Sequence, residues 1–261
     1  MRLGAHVSTE DPLGDAARLG LEVVQLSLTD MQSWRKPPAR DDAEELRASD
    51  VPIYVHAPFV MNPASPNPRV RHPSRKTMQQ TLDAAADIGA RGVVVHGGHV
   101  GADTDPAEGV RNWRKALESL RSDAPLLIEN TAGGDNAMAR SFDDLARLWE
   151  GIAGGGLDVE VGFVLDTCHT HAAGEATVGQ VERVRAITGR IDLLHLNDSR
   201  DPLGSGRDRH ANLGDGTIDV DALVAEVAAH GGDVVLETPT EDAGHERDLA
   251  LVRERLGLAA G

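Results

Sequence analysis

Eight short β-rich runs alternate with eight amphipathic stretches along this 261-residue chain, and that alternation limits the fold more than any other feature. The runs fall at 2–6, 23–28, 52–56, 92–96, 125–129, 162–166, 192–195 and 233–237. Helical patterns follow at 13–19, 41–48, 73–88, 107–120, 141–150, 178–187, 220–229 and 241–255. Polar or glycine-rich turns separate them. The runs are mainly apolar, as expected of parallel strands covered by helices. Eight such units predict closure into a TIM (β/α)8 barrel, which takes about 250 residues, so residues 1–261 read as a single β/α-barrel domain. Ser141 with Asp144 three residues on comes close to a capping box at a helix start.

The ends of the runs carry the chemistry. Run three ends at His56 in IYVHAP, run four at His96 in VVVHGGH, and run five at Glu129 in LLIENTAGG. Run six ends at Asp166 in FVLDTCH, run seven at His195 in LLHLND, and run eight at Glu237 in VVLETP. A parallel barrel brings these ends to its C-terminal mouth, where barrel active sites lie. A single such residue is readily a polar strand cap. Six in register are not, because imidazoles and carboxylates packed together without a cation repel and strand polar groups away from water. Three more residues suit the same purpose. His169 follows Asp166 by three, and Asp208 and His210 form D-x-H in GSGRDRHANLGDG, where extended backbone points alternate side chains the same way. Five histidines and four carboxylates, with no thiolate, suit catalytic zinc, with manganese an alternative at one site. Nine ligands are too many for one tetrahedral ion and nearly right for three if one carboxylate bridges.

The segments GAHVS (4–8), IENTAGG (128–134), LDTCHTHAAG (165–174), HLNDS (195–199) and DRHANLGDG (208–216) resemble the signature blocks of the endonuclease IV family, in order and nearly end to end. Linked blocks are far more specific than one short motif. The resemblance implies a xylose-isomerase-like barrel and a three-zinc AP endonuclease of base excision repair. It assigns His56, His96 and Glu129 to a first zinc. Glu129 would bridge to a second, held also by Asp166, His195 and Glu237. His169, Asp208 and His210 would hold the third. Zinc makes a water-derived nucleophile available at neutral pH. The implied reaction cuts the phosphodiester 5′ to an abasic site in duplex DNA. It leaves a 3′-hydroxyl and a 5′-deoxyribose phosphate, and the same chemistry trims blocked 3′ ends. Glu129 and Glu237 are the catalytic candidates, with Glu237 orienting the nucleophile. His6, in GAHVS, is expected to hydrogen-bond to the metal ligands rather than to bind metal.

Charge bears on the DNA partner. The net charge of −16 is unusual for a nucleic-acid binder. Yet residues 31–40 and 51–82 contain no acid among 42 positions, where an even spread would place about seven, and they hold Arg35, Lys36, Arg40, Arg69, Arg71, Arg75 and Lys76. Arg35, Lys36, Arg69, Arg71, Arg200, Arg207 and Arg209 sit in loops expected at the mouth, as phosphate contacts or as solvated loop charge. Family members wedge side chains from the loops after strands two and three into the duplex. Better-known members have arginine and tyrosine where this chain aligns Gln32 and Phe59, and HPGSH where it has HGGH (96–99). Trp34 either flanks the wedge or anchors its loop.

Cys168, the one cysteine, excludes an intramolecular disulfide and reads as a small buried side chain. Trp113 and Trp149 fall on helical patterns and read as packing, whereas His72, His230 and His245 read as surface residues. Asn130 and Asn197 follow candidate ligands closely. The N-terminus lacks a signal-like apolar stretch, and no run approaches the roughly 20 apolar residues of a membrane span, so a cytoplasmic protein is expected, and the family resemblance favours a monomer. Two other readings remain. A sugar isomerase or epimerase uses similar ligands on one or two ions, but does not need the third set. A non-catalytic binder of damaged DNA needs no such ligands at all.

Overall fold

The computed structural model describes residues 1–258. Its strands are β1 (Arg2–His6), β2 (Val23–Leu26), β3 (Ile53–His56), β4 (Gly92–His96), β5 (Leu126–Glu129), β6 (Val161–Asp166), β7 (Leu193–His195), β8 (Asp198–Ser199), β9 (His210–Ala211) and β10 (Asp233–Leu236). The helices are α1 (Pro12–Leu19), α2 (Ala43–Ala48), α3 (Pro68–Asp87), α4 (Pro106–Leu117), α5 (Phe142–Ile152), α6 (Thr167–Ala173), α7 (Gln180–Thr188), α8 (Val220–His230) and α9 (Gly244–Leu256). Eight strands, β1 to β7 and β10, close a barrel through parallel pairs, with β10 between β7 and β1. The fold is the (β/α)8 barrel that the alternation predicts.

Two apolar layers hold it together. The larger lies between strands and helices, with Leu26, Leu82, Leu126 and Trp113 among its fully buried members. The smaller fills the barrel: Val23, Tyr54, Val94, Leu127, Val164, Leu193 and Val235. Each of these seven comes from a different strand. On β1 the matching position is Gly4, where a Cβ would meet the Val23 carbonyl oxygen at 1.7 Å, so only glycine fits. Side chains two apart on a strand share a face. The next inward residues are therefore His6, Gln25, His56, His96, Glu129, Asp166, His195 and Glu237. One apolar layer thus carries a ring of eight polar side chains directly above it.

Local differences from the sequence expectation have clear causes. Helix α3 starts at Pro68, capped by the Asn67 side chain, so Pro73 lies inside it rather than at its start. Pro68 meets the first-turn preference of proline as well as Pro73 does. The antiparallel pair β8–β9 was not predicted, being only two residues per strand. The Ser141–Asp144 capping box is present. His230 and His245 are buried, not surface residues. Each ring donates through Nε2 to a backbone carbonyl, Asp233 at 3.0 Å and Thr238 at 2.9 Å. Trp113 is fully buried and donates to the Gly97 carbonyl at 2.6 Å, and Trp149 packs edge-on against Phe163. No helix among the described residues is long and apolar enough to cross a membrane.

Candidate metal centre

The ring of polar side chains converges into groups suited to cations. His56, His96 and Glu129 form one; Glu129, Asp166, His195 and Glu237 a second; His169, Asp208 and His210 a third. Within each group the ligand atoms lie within 4.8 Å of one another. Glu129 joins the first two groups. Its Oε2 lies 3.4 Å from His56 Nε2 and 3.1 Å from His96 Nε2, and its Oε1 lies 2.8 Å from His195 Nδ1. All nine residues expected from the sequence are brought together in these three groups.

Each of four imidazoles is aimed by a partner on its other nitrogen. A carbonyl only accepts, so the nitrogen facing one must carry a proton, and the opposite nitrogen is the one that could give its lone pair to a cation once unprotonated. The Nδ1 atoms of His56, His169 and His210 donate to the carbonyls of Ala57 (2.8 Å), Asn130 (2.9 Å) and Glu237 (3.1 Å). Their Nε2 atoms therefore point at the groups. His195 is reversed: its Nε2 donates to Gln25 Oε1 at 2.8 Å, which turns Nδ1 inward.

A fit to cations can be tested on the polar atoms themselves. Glu129 Oε2, His169 Nε2 and His210 Nε2 are fully buried and have no hydrogen-bond partner. Both His169 Nε2 and His210 Nε2 lie near Asp208 Oδ1, at 3.2 and 3.1 Å, yet neither contact has hydrogen-bond geometry. With Asp208 Oδ1 they make one group of ligand atoms within 4.8 Å of one another. An orphaned buried polar atom costs about 1–3 kcal/mol, so three in one cluster call for a cation. The nitrogen and oxygen donors fit divalent ions of the zinc or manganese type.

Electrostatics agree. Burial alone would raise the Glu129 carboxyl, but the His195 and His96 imidazoles hold it well below the usual carboxylate range. Burial disfavours the charged His195 ring, but Glu237 and Glu129 lift it to about 9. Burial likewise opposes charge on the His210 ring, but the adjoining Asp208 and Asp166 carboxylates lift it to about 9. Protons occupy the imidazoles where cations would otherwise neutralise the carboxylates.

Other polar residues hold the centre in place. Asn130 Oδ1 accepts the Asp166 N–H at 2.7 Å, and its Nδ2 donates to the Asp166 carbonyl. Asn197 Nδ2 donates to Asp166 Oδ2 at 2.7 Å, and its Oδ1 accepts the Glu237 N–H at 2.9 Å. Sequence reasoning missed Gln25. It is fully buried and donates to Glu237 Oε1 at 2.5 Å and to His6 Nδ1 at 3.0 Å. His6 thus reaches the centre through Gln25, in keeping with a supporting position. The available signal was a lone amide in the apolar run VVQL. Cys168 is buried near Asp166 and His210, and burial pushes its thiol up to about 12, which suits packing rather than ligation.

The remaining expected residues surround the mouth. Gln32, Trp34, Arg35 and Lys36 are exposed on the loop after β2, and Phe59 on the loop after β3 is 54% exposed. The Phe59 ring packs 5.2 Å from both the His56 and His96 rings. Arg69 is exposed, whereas Arg71 donates to the carbonyls of Ser65 and Pro66. Arg207 and Arg209 both grip Asp201. His99 is exposed beside the centre and belongs to none of the ligand groups. A cleft of about 520 Å³ opens onto the ligands between Phe59, Val60 and Asn62 on one side and Asp208 on the other.

Fold and site together define a (β/α)8-barrel protein with His, Asp and Glu groups at its C-terminal mouth that could hold metal ions. Comparison with known proteins narrows this. Residues 13–255 match the family described as Xylose isomerase-like TIM barrel. The chain is 58% identical over 257 residues to "Probable endonuclease 4" of Mycobacterium bovis (strain BCG / Pasteur 1173P2), covering 98% of this chain and 100% of that one. The crystal structure of endonuclease IV from Thermus thermophilus superposes with a TM-score of 0.83 at 30% identity, over 98% of this chain and 99% of that one. A D-tagatose 3-epimerase-like protein superposes with a TM-score of 0.81 at 19% identity, covering 98% and 97%, and so shares the fold alone. This chain belongs to the endonuclease IV family.

Proposed function

We propose that this protein is an AP endonuclease of base excision repair. In this reading it hydrolyses the phosphodiester 5′ to abasic sites in duplex DNA, leaving a 3′-hydroxyl and a 5′-deoxyribose phosphate, and trims blocked 3′ ends. The observation that carries the reading is the convergence of nine ligand side chains into three groups with orphaned donor atoms at their centre. A sugar isomerase or epimerase has no use for the third group, His169, Asp208 and His210.

The residues fit three zinc ions, with manganese an alternative at one site, and Glu129 shared between the first two. Such ions lower the pKa of water to about 7 and offset phosphate charge. The chain supplies placement. His195, locked by Gln25, and Asp166, locked by Asn130 and Asn197, hold their donors fixed in a buried cluster. Glu237 is held by Gln25 with its other oxygen 3.3 Å from His195 Nδ1, so it is placed to orient an attacking water. The 520 Å³ cleft takes the sugar of the abasic nucleotide, with Phe59 as a stacking face at its rim. Trp34, Gln32, Arg35, Lys36 and Arg69 are placed to contact the flanking duplex.

The test is incision of a labelled duplex carrying one synthetic abasic site, with chelator-stripped protein as control. A single cut 5′ to the site, abolished by stripping, is expected. Zinc-loaded protein that leaves this duplex intact but epimerises a ketose would replace the reading with the sugar-isomerase one.

A further inference from the structure

Seven of the nine ligand residues stand on barrel strands, directly after one, or on α6, but Asp208 and His210 come from the long connection between β8 and β9 or its end. Gly204 and Gly206 in that connection both have positive φ and donate to the His171 and Ala172 carbonyls of α6, which anchors the segment as far as Gly206 but not the four residues that follow. Asp208 is also the most exposed of the nine, its side chain 45% accessible. Something outside the ligand group must hold this segment.

We propose that Asp201 is that positioning residue. Its carboxylate grips Arg207 and Arg209 and thereby fixes the segment that presents Asp208 and His210. The inference rests on the metal-centre reading above. Four observations carry it. Contacts alternate along 207–210: Arg207 and Arg209 reach Asp201, whereas Asp208 and His210 face His169. That is the two-residue period of an extended chain, so fixing the odd residues fixes the even ones. Arg209 engages both carboxylate oxygens, with Nε at 2.7 Å from Oδ2 and Nη2 at 2.5 Å from Oδ1, and a fork of this kind defines direction as well as distance. Asp201 is itself buried, and its carbonyl accepts from Thr217 Oγ1 at 2.6 Å and from His171 Nε2 at 3.2 Å, which ties it to α6. Finally, Arg200 N donates to the Arg209 carbonyl and Arg200 Nε to the His210 carbonyl, so the backbone is held from the same side.

This assigns Arg207 and Arg209 a task other than phosphate contact. The one buried Asp201 carboxylate offsets one of their two charges and cannot follow them onto DNA.

The experiment compares wild type with Asp201→Ala, Asp201→Asn and Arg209→Ala. Zinc affinities are read by competition with a chromophoric chelator, and affinity for an abasic duplex is read in parallel. Asp201→Ala should weaken one ion about 10-fold, the scale of losing a supporting partner of a ligand, with the other ions and the far-UV spectrum unchanged. Arg209→Ala should produce the same single-ion loss, and the double variant no more than either alone. Asp201→Asn, which keeps an acceptor, should fall between. Unchanged zinc affinity in Asp201→Ala, with Arg209→Ala weakening only DNA binding, would overturn the proposal and make the arginines phosphate contacts. Loss of all ions together would mean general unfolding of the mouth and would also overturn it. Wild-type protein that binds no zinc would bring down the metal-centre reading first.

Discussion

The two ends of this barrel handle buried charge in opposite ways. At the floor, Arg2 makes two hydrogen bonds to Asp233, at 2.6 and 2.9 Å, and Tyr54 donates to the same carboxylate at 3.0 Å. Asp192 accepts the Phe163 N–H and pairs with Arg190. Each floor group thus finds its opposite within the protein. At the mouth, five histidines and four carboxylates crowd together and three of their atoms find no partner. Along β1 and β10, Arg2 and Asp233 stand two residues before Gly4 and Val235 of the interior layer, and His6 and Glu237 two residues after. The floor is paired as it stands, whereas the mouth gathers groups that could hold metal ions. Polar residues in a barrel interior are therefore informative by what they leave unpaired.

Substitutions should separate the two ends, and the largest effect belongs to the shared ligand. Glu129→Gln should reduce abasic-site incision by more than the roughly 100-fold typical of losing an outer partner, and should lower zinc content measured by emission spectrometry. Its melting curve should change far less than its activity. Asp233→Ala should do the reverse. It leaves Arg2 unpaired and Tyr54 with only the Asp192 carbonyl at 3.4 Å, and should cost about 2 kcal/mol in denaturant titration, discounted because Arg2 is partly exposed, with zinc content unchanged. If Asp233→Ala lost zinc while Glu129→Gln unfolded, the contrast between the ends would be wrong.

Metal removal and pH sharpen the contrast. Empty, the four carboxylates of the mouth are offset only as far as their neighbouring imidazoles take up protons; with divalent ions bound the charge presented to a phosphate would be more positive. Chelator-stripped protein should therefore bind an abasic duplex about 10-fold or more weakly in fluorescence anisotropy, and readdition of zinc should restore binding. In the stripped protein His195 and His210 titrate near 9, above the ordinary value of about 6.5. A raised histidine stabilises the fold fully below about pH 6.5, and that contribution is lost as pH rises through about 9. Stripped protein should thus melt at lower temperature at pH 9 than at pH 6.5, whereas zinc-loaded protein, whose imidazoles bind metal unprotonated, should show no such fall. The smallest effect is expected at the rim. Phe59→Ala should raise KM for the abasic duplex about 10-fold through lost stacking while leaving zinc content intact, and Phe59→Tyr should retain wild-type affinity.

How much of this was legible depended on period and range. The ligand strands were legible because each carries an apolar residue followed two positions on by a histidine or carboxylate, as in Leu127 and Glu129 or Leu193 and His195. Asp208 and His210 were legible by the same two-residue logic without their strand being foreseen. What was hidden were groups whose meaning lies in long-range partners. Gln25 is an unremarkable amide until β2 closes beside β1 and faces Glu237, 212 residues away. Asp201 belongs to an ordinary loop until Arg209 folds back on it. His230 and His245 looked exposed because helix termini usually are, yet both cap backbone carbonyls at the ends of β10.

The most direct test of the central claim is anomalous diffraction at the zinc edge from crystals of the zinc-loaded protein. The account predicts three peaks: one beside His56, His96 and Glu129, one beside Asp166, His195 and Glu237, and one beside His169, Asp208 and His210. A single peak at Glu129, with His169 Nε2 and His210 Nε2 still unpartnered in a fully loaded crystal, would contradict it.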